Sequence, residues 1–128
     1  MKTYYKLVLA IVASFGLYVA AIEDLHAQAK APLYVVTEID VKNLDAYVKE
    51  YAPKAQALIK KSGGRIVAVG QNVTSVEGRK PAPRVSIQVW ESMDQYKAYR
   101  GSAEFKEVRK IGNKYAKFRS FTIEGLPQ

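Results

Sequence analysis

Cysteine is absent from this 128-residue chain, and histidine occurs once, at position 26. Without cysteine there is no disulfide, no thiolate nucleophile and no thiolate ligand for zinc, haem or an iron–sulfur cluster. No internal repeat or low-complexity tract breaks the chain, which excludes solenoid and fibrous architectures and leaves one small domain. Long hydrophobic runs are also missing, except for one near the start.

That run extends from Leu7 to Ile22, interrupted only by Ser14 and Gly16, and Lys2 and Lys6 precede it. It is shorter than the ~20 residues that cross a ~30 Å hydrocarbon core, but it has the length and basic flank of a secretory signal. A polar stretch follows and ends in Ala27-Gln28-Ala29, small residues at the positions a signal peptidase must accommodate. The sequence therefore predicts a leader over 1–29, cleavage after Ala29, a domain over 30–128, and a periplasmic or secreted protein with no permanent membrane span after cleavage. No arginine pair precedes the run and no cysteine follows it, so the expected route is general secretion without lipid attachment. His26 leaves with the leader.

The remaining chain then has neither histidine nor cysteine. A Ser-His-Asp or Cys-His nucleophile is excluded, as are His/Cys zinc sites and histidine-ligated haem. No metal and no cofactor is expected. The formal charge is +8 with a pI near 9.6, and losing Lys2, Lys6, Glu23 and Asp24 leaves that balance unchanged. Basicity favours anionic lipid, wall polymers or small anions as partners; for an exported protein, nucleic acid is not expected. A domain this small buries only about 60–70% of its unfolded surface, and a homodimer would add to that.

Residues 33–39, rich in β-branched and aromatic side chains, predict a strand. Asn43 then caps a helix with Leu44, Tyr47, Val48, Tyr51, Ala55, Leu58 and Ile59 on one stripe. Pro53 should kink or divide it, and Ser62-Gly63-Gly64 should end it. A second strand is expected at 65–70, with a bulge or bend at Gly70, continuing to Gly78. A proline-bearing loop covers 79–84, and a third strand covers 85–90. Ser92 to Gln95 has the form of a capping box, opening a helix that carries Tyr96 and Tyr99 and breaks at Gly101. Ser102 caps a second piece with Phe105, Val108, Gly112 and Tyr115 inward and Ile111 beside them. Residues 117–125 close as a fourth strand. The order β-α-β-β-α-β predicts an α+β, ferredoxin-like fold with a four-stranded antiparallel sheet and helices on one face. The other face carries apolar residues too, and a second sheet is the economical cover.

Several residues in this order resemble a known bacterial family, the domain of unknown function 1330. They are Ala46-Tyr47 and Tyr51, Gly63-Gly64-Arg65, Gly70, Glu77-Gly78, Arg84-Val85, Ser92, Ala98-Tyr99, Ser102 and Glu104-Phe105. The resemblance implies a dimeric α/β barrel, two sheets packed face to face around a cavity. It implies no reaction.

Polar residues on otherwise apolar strands are the candidate ligand-binding set: Glu38, Arg65, Ser86, Gln88, Trp90 and Arg119. Glu38 and Arg65 are placed to pair inside a cavity, or Arg65 and Arg119 to hold a small carboxylate. Alternation alone does not say which strand face points inward. No catalytic residue is assigned. Tyr47, Tyr51, Tyr96 and Tyr99 form two helical pairs suited to the core or to stacking on a ligand. Gly63-Gly64-Arg65 reads as a turn, because a phosphate cradle runs from loop into helix and this one runs from helix into strand. Lys106, Lys110 and Lys114 form a basic stripe opposite Phe105, Val108 and Tyr115. Three functions fit: an exported barrel that binds a small apolar or weakly acidic molecule; a cofactor-free isomerase or monooxygenase; or an envelope-interaction protein using the basic stripe.

Overall fold

The computed structural model describes residues 31–128; the leader expected at 1–29, with His26 and the cut after Ala29, lies outside the described residues. Strand β1 (Leu33–Val41) leads through the Asn43 cap, whose Oδ1 accepts from the Ala46 N–H at 3.1 Å, into α1 (Leu44–Ala46). The helix widens into a π turn (Tyr47–Tyr51) before resuming as α2 (Ala52–Lys61). Pro53 sits in the first turn of α2, where its missing N–H does least harm. The expected division of the helix is therefore a π turn. That wider turn bonds the Ala52 N–H to the Tyr47 carbonyl and puts Tyr47 and Tyr51 in the buried row. Leu44 and Val48, expected on the same stripe, instead rotate outward and are 45% and 46% exposed.

Gly63, at φ +97°, ends α2, and the Gly64 N–H returns to the Ile59 carbonyl, the closing bond of a Schellman turn. A Cβ at Gly64 would stand 2.5 Å from the Trp90 ring, so this turn is packed directly against the core. Strand β2 (Arg65–Gly70) follows and stops at Gly70. The expected extension to Gly78 is absent: residues 71–83 form a loop, because β2 is an edge strand and its partner β3 (Arg84–Trp90) offers no residue beyond Val85 and Arg84 to pair with. The irregularity expected at Gly70 lies instead between Ile66 and Ala68.

Ser92 Oγ accepts from the Gln95 N–H at 3.1 Å and opens α3 (Met93–Gly101). The return arm of the box goes to the neighbouring Glu91 N–H rather than to Ser92. Ser102 then caps α4 (Ala103–Gly112) in the same way, accepting from Phe105. As expected, Phe105 and Gly112 are buried while Lys106, Lys110 and Lys114 face solvent. Strand β4 (Ala116–Glu124) closes the chain. The sheet is antiparallel in the order β2-β3-β1-β4, so the fold is the ferredoxin-like α+β arrangement. No helix among the described residues is long and apolar enough to cross a membrane.

Register sorts the strands into two faces. Toward the helices point Leu33, Val35, Thr37 and Ile39 of β1, and Trp90, Gln88, Ser86 and Arg84 opposite them on β3. Away from the helices point Tyr34 and Val36 with Val89 and Ile87 on one side and Ile123 and Phe121 on the other. Trp90, 1% exposed, anchors the first core cluster with Leu33, Val35, Leu58, Ile59, Tyr96, Tyr99 and Phe105. Its ring centroid lies 4.7 Å from Tyr99 and 5.5 Å from Tyr96, within the range where aromatic pairs attract beyond simple burial. A second cluster gathers Ile39, Tyr47, Tyr51 and Ala116.

Candidate functional site

Between these two clusters the helix side of the sheet becomes polar. Thr37, Ser86 and Gln88 are all buried there, which is tolerable only where their hydrogen-bonding groups find partners. Thr37 and Ser120 exchange a hydroxyl bond of 2.9 Å, and the Trp90 Nε1–H donates to Gln88 Oε1 at 3.0 Å. Thr37, Ser86 and Gln88 floor a cavity of about 40 Å³, room for a few waters on a measure where one takes ~10–15 Å³. Tyr47 and Tyr51 from the π turn and Tyr99 from α3 roof it. Gln56, Ile59, Ile66 and Val69 line both this cavity and an outer groove of about 450 Å³, which Lys60, Gly64 and Arg65 extend.

Two arginines complete the lining: Arg84 at the start of β3 and Arg109 on α4. The Arg84 guanidinium lies 5.4 Å from the Tyr47 ring centre. That of Arg109 lies 4.0 Å from Phe118 and 4.9 Å from Phe105, a geometry in which ring faces attract the cation. No aspartate or glutamate lines the cavity, and neither arginine forms a salt bridge among the described residues. The Nε atom of each is buried with no hydrogen-bond partner. Burial raises the Tyr47 pKa, with Tyr51 adding to the rise and the two arginines opposing it. Burial likewise raises that of Tyr99. Both phenols are therefore neutral near pH 7 and keep an O–H able to donate.

The residues singled out from the sequence divide between the two faces. Gln88 lines the cavity, and Trp90 is sealed in the core beside it. Glu38 and Arg119 stand opposite each other on the open face and pair, while Glu38 Oε1 also accepts the Ala82 N–H at 3.1 Å. The Arg119 bond, then the Ala82 bond, hold the Glu38 carboxyl below its ordinary pKa. The expected Glu38–Arg65 pair does not form, because Arg119 takes that place. Arg65 lies opposite Val89, whose line across the sheet ends at Ile123, not Arg119. Arg65 and Arg119 are thus separated by two strands and by roughly 13 Å along the strand direction, too far to share a small carboxylate. Arg65 stands at the rim of the outer groove instead.

Arg84 and Arg109 were not among those residues, yet both left a signal. Arg84 continues the alternation Ser86, Gln88, Trp90 by one step, but the prolines before it make it look like loop. Arg109 follows Phe105 by four positions, on the buried row of α4, but it sits within a basic run that resembles a solvated face. Among the described residues no group of three or more His, Cys, Asp or Glu is placed to hold a metal ion.

A family model described as domain of unknown function (DUF1330) matches residues 32–126. None of the curated proteins matches this chain. Among solved structures, it is similar to RPA0582, a protein of unknown function from Rhodopseudomonas palustris, at 15% identity over 85% of this chain and 94% of that one, with a TM-score of 0.61. It is also similar to SnoaB, a cofactor-independent oxygenase from Streptomyces nogalater, at 13% identity, 77% and 96% coverage and a TM-score of 0.57. A dimeric protein of unknown function and ferredoxin-like fold from Bacteroides fragilis matches at 13% identity, 73% and 95% coverage and a TM-score of 0.50. At these identities the likeness is one of fold alone.

Proposed function

The chain belongs to the DUF1330 family, whose function is unknown, and from that premise we propose that it is a small-molecule-binding homodimer. The observation that carries this is the cavity between sheet and helices, polar on its floor and continuous in its lining with an apolar outer groove. That combination of concave apolar surface and a few convergent polar groups is what ligand sites are made of. The binding site in this reading lies beneath the helices of each protomer, not between two sheets as the sequence suggested.

The homodimer draws support from the open face, where Tyr34, Val36, Ile87, Val89, Phe121 and Ile123 form an uncovered apolar surface, Phe121 and Ile123 being 46% and 62% exposed. Surfaces of this kind mark association sites, and the Bacteroides fragilis neighbour is dimeric. Export through a leader at 1–29 belongs to the same proposal, supported by a family match that begins at residue 32, just after the expected cut.

A second reading, a cofactor-independent oxygenase or isomerase, draws on the fold shared with SnoaB and on the cavity tyrosines. It is the weaker one. Among the described residues no carboxylate lines the cavity, and a phenol with a raised pKa is a poor general base near neutrality. Native mass spectrometry of protein taken from the cell envelope without refolding tests the proposal. The expected species is a dimer of chains beginning at Lys30 that carries a non-protein mass. A monomer would remove the sheet-to-sheet pairing, and a retained leader would remove the export reading.

A further inference from the structure

Resting on the binding reading above, we infer that the cavity takes the carboxylate head of a small amphiphilic acid, clamped between Arg84 and Arg109, with the acid's apolar body in the outer groove. The head end follows from charge. Arg84 and Arg109 both line one small cavity, and among the described residues no carboxylate there balances them. Like charges facing one cavity repel, and an anion held between them relieves that repulsion. Arginine presents its N–H groups in a planar fork that matches a carboxylate. Tyr47 lies within the field of both arginines, and its neutral O–H supplies a further donor.

The body of the ligand follows from the shape. The inner cavity, about 40 Å³, admits a head group and little more. Ile59, Ile66 and Val69 carry the lining outward into a groove ten times larger by volume, about 450 Å³. A ligand filling both is polar at its inner end and apolar outside. Free phosphate or sulfate would use the head site and leave the groove empty, and a neutral apolar molecule would use the groove and leave the arginines unpaired.

Isothermal titration of the purified protein with hexanoate, octanoate and benzoate, each against its alcohol (hexanol, octanol, benzyl alcohol), tests this. The expected result is at least one carboxylate binding about ten-fold or more tighter than its alcohol, the scale of one charge-assisted contact. Arg84→Gln and Arg109→Gln should each bring acid and alcohol to within about three-fold while alcohol binding and the circular dichroism spectrum stay unchanged. Should either variant fold poorly, Arg84→Lys and Arg109→Lys keep the charge but lose the fork, and an intermediate preference is expected. Equal binding of acids and alcohols would overturn the clamp and leave the pocket reading standing. Binding of none of the six would overturn both.

Discussion

On its helix side the sheet hides polar groups; on its open side it displays apolar ones. Thr37, Ser86, Gln88 and Arg84 lie on the helix side, whereas half-buried Val36, Ile87 and Val89 and exposed Phe121 and Ile123 face away from the helices. Leu33, Val35, Ile39 and Trp90 make the rest of the helix side an ordinary apolar core, so the buried polar patch and the apolar open face are departures that stability of a monomer alone does not call for. They assign different tasks to the two faces. Polarity under the helices is retained where a cavity can use it, and apolarity is left outside where a second sheet can cover it. The helices still need an anchor, and Trp90 at the far end of the same β3 row supplies it.

Substitutions on the two faces should therefore fail differently. The largest loss of stability is expected at the anchor: Trp90→Ala should lower unfolding free energy by about 3–5 kcal/mol in urea titrations, because a 1%-exposed indole packed on Tyr96, Tyr99 and Gly64 leaves a cavity. Ile87→Asp, at the centre of the open face, should leave protomer secondary structure intact. It should weaken self-association about 100-fold or more in sedimentation equilibrium, a buried unpaired carboxylate being worth at least that. A dimer of unchanged affinity would show that the open face is not where the copies meet.

Titration separates the faces further. Tyr47 and Tyr99, on the helix side, have pKa values raised above the ordinary 10.0, chiefly by burial. A group whose folded pKa is raised contributes stability that is full below its unfolded pKa and lost as pH rises through the folded one. Stability should thus fall above about pH 10, and a Tyr47→Phe, Tyr99→Phe double variant should flatten that fall. On the open face the Glu38 pKa is depressed below 4.5 by Arg119 and the Ala82 N–H. Its contribution is present above that value and lost as pH drops through the lower folded one. Glu38→Gln should remove this small acid dependence and leave the alkaline limb unchanged. This is the smallest effect of the four, as expected of a pair whose arginine is largely solvated.

Most of the fold could be read from local chemistry. Asn43, Ser92 and Ser102 cap where their side chains suggest, Gly63 takes the left-handed turn, and β1, β3 and β4 appear within a residue or two of their expected bounds. What failed depended on partners. The stretch 71–78 has strand composition, but an edge strand extends only as far as its neighbour does. Leu44 and Val48 fit a 3.6-residue stripe, but the π turn that precedes Pro53 shifts it.

The site was harder to read than the fold. Period-two alternation places Ser86, Gln88 and Trp90 together, and they are together. It gives no sign of which face the helices cover, so it groups Glu38 and Arg119 from the opposite face with them. Arg84 on β3 and Arg109 on α4 reach the same cavity only through the tertiary fold, α4 packing on the π turn and α2, an event with no local signature.

The division of labour between the faces is tested most directly by following octanoate binding, through the fluorescence of the single tryptophan, in the monomeric Ile87→Asp variant. Trp90 reports on the cavity through its bond to Gln88. If the ligand sits beneath the helices of each protomer, affinity should stay within about three-fold of the parent protein. Loss of binding upon dissociation, with the fold intact, would place the ligand between the sheets and contradict the account.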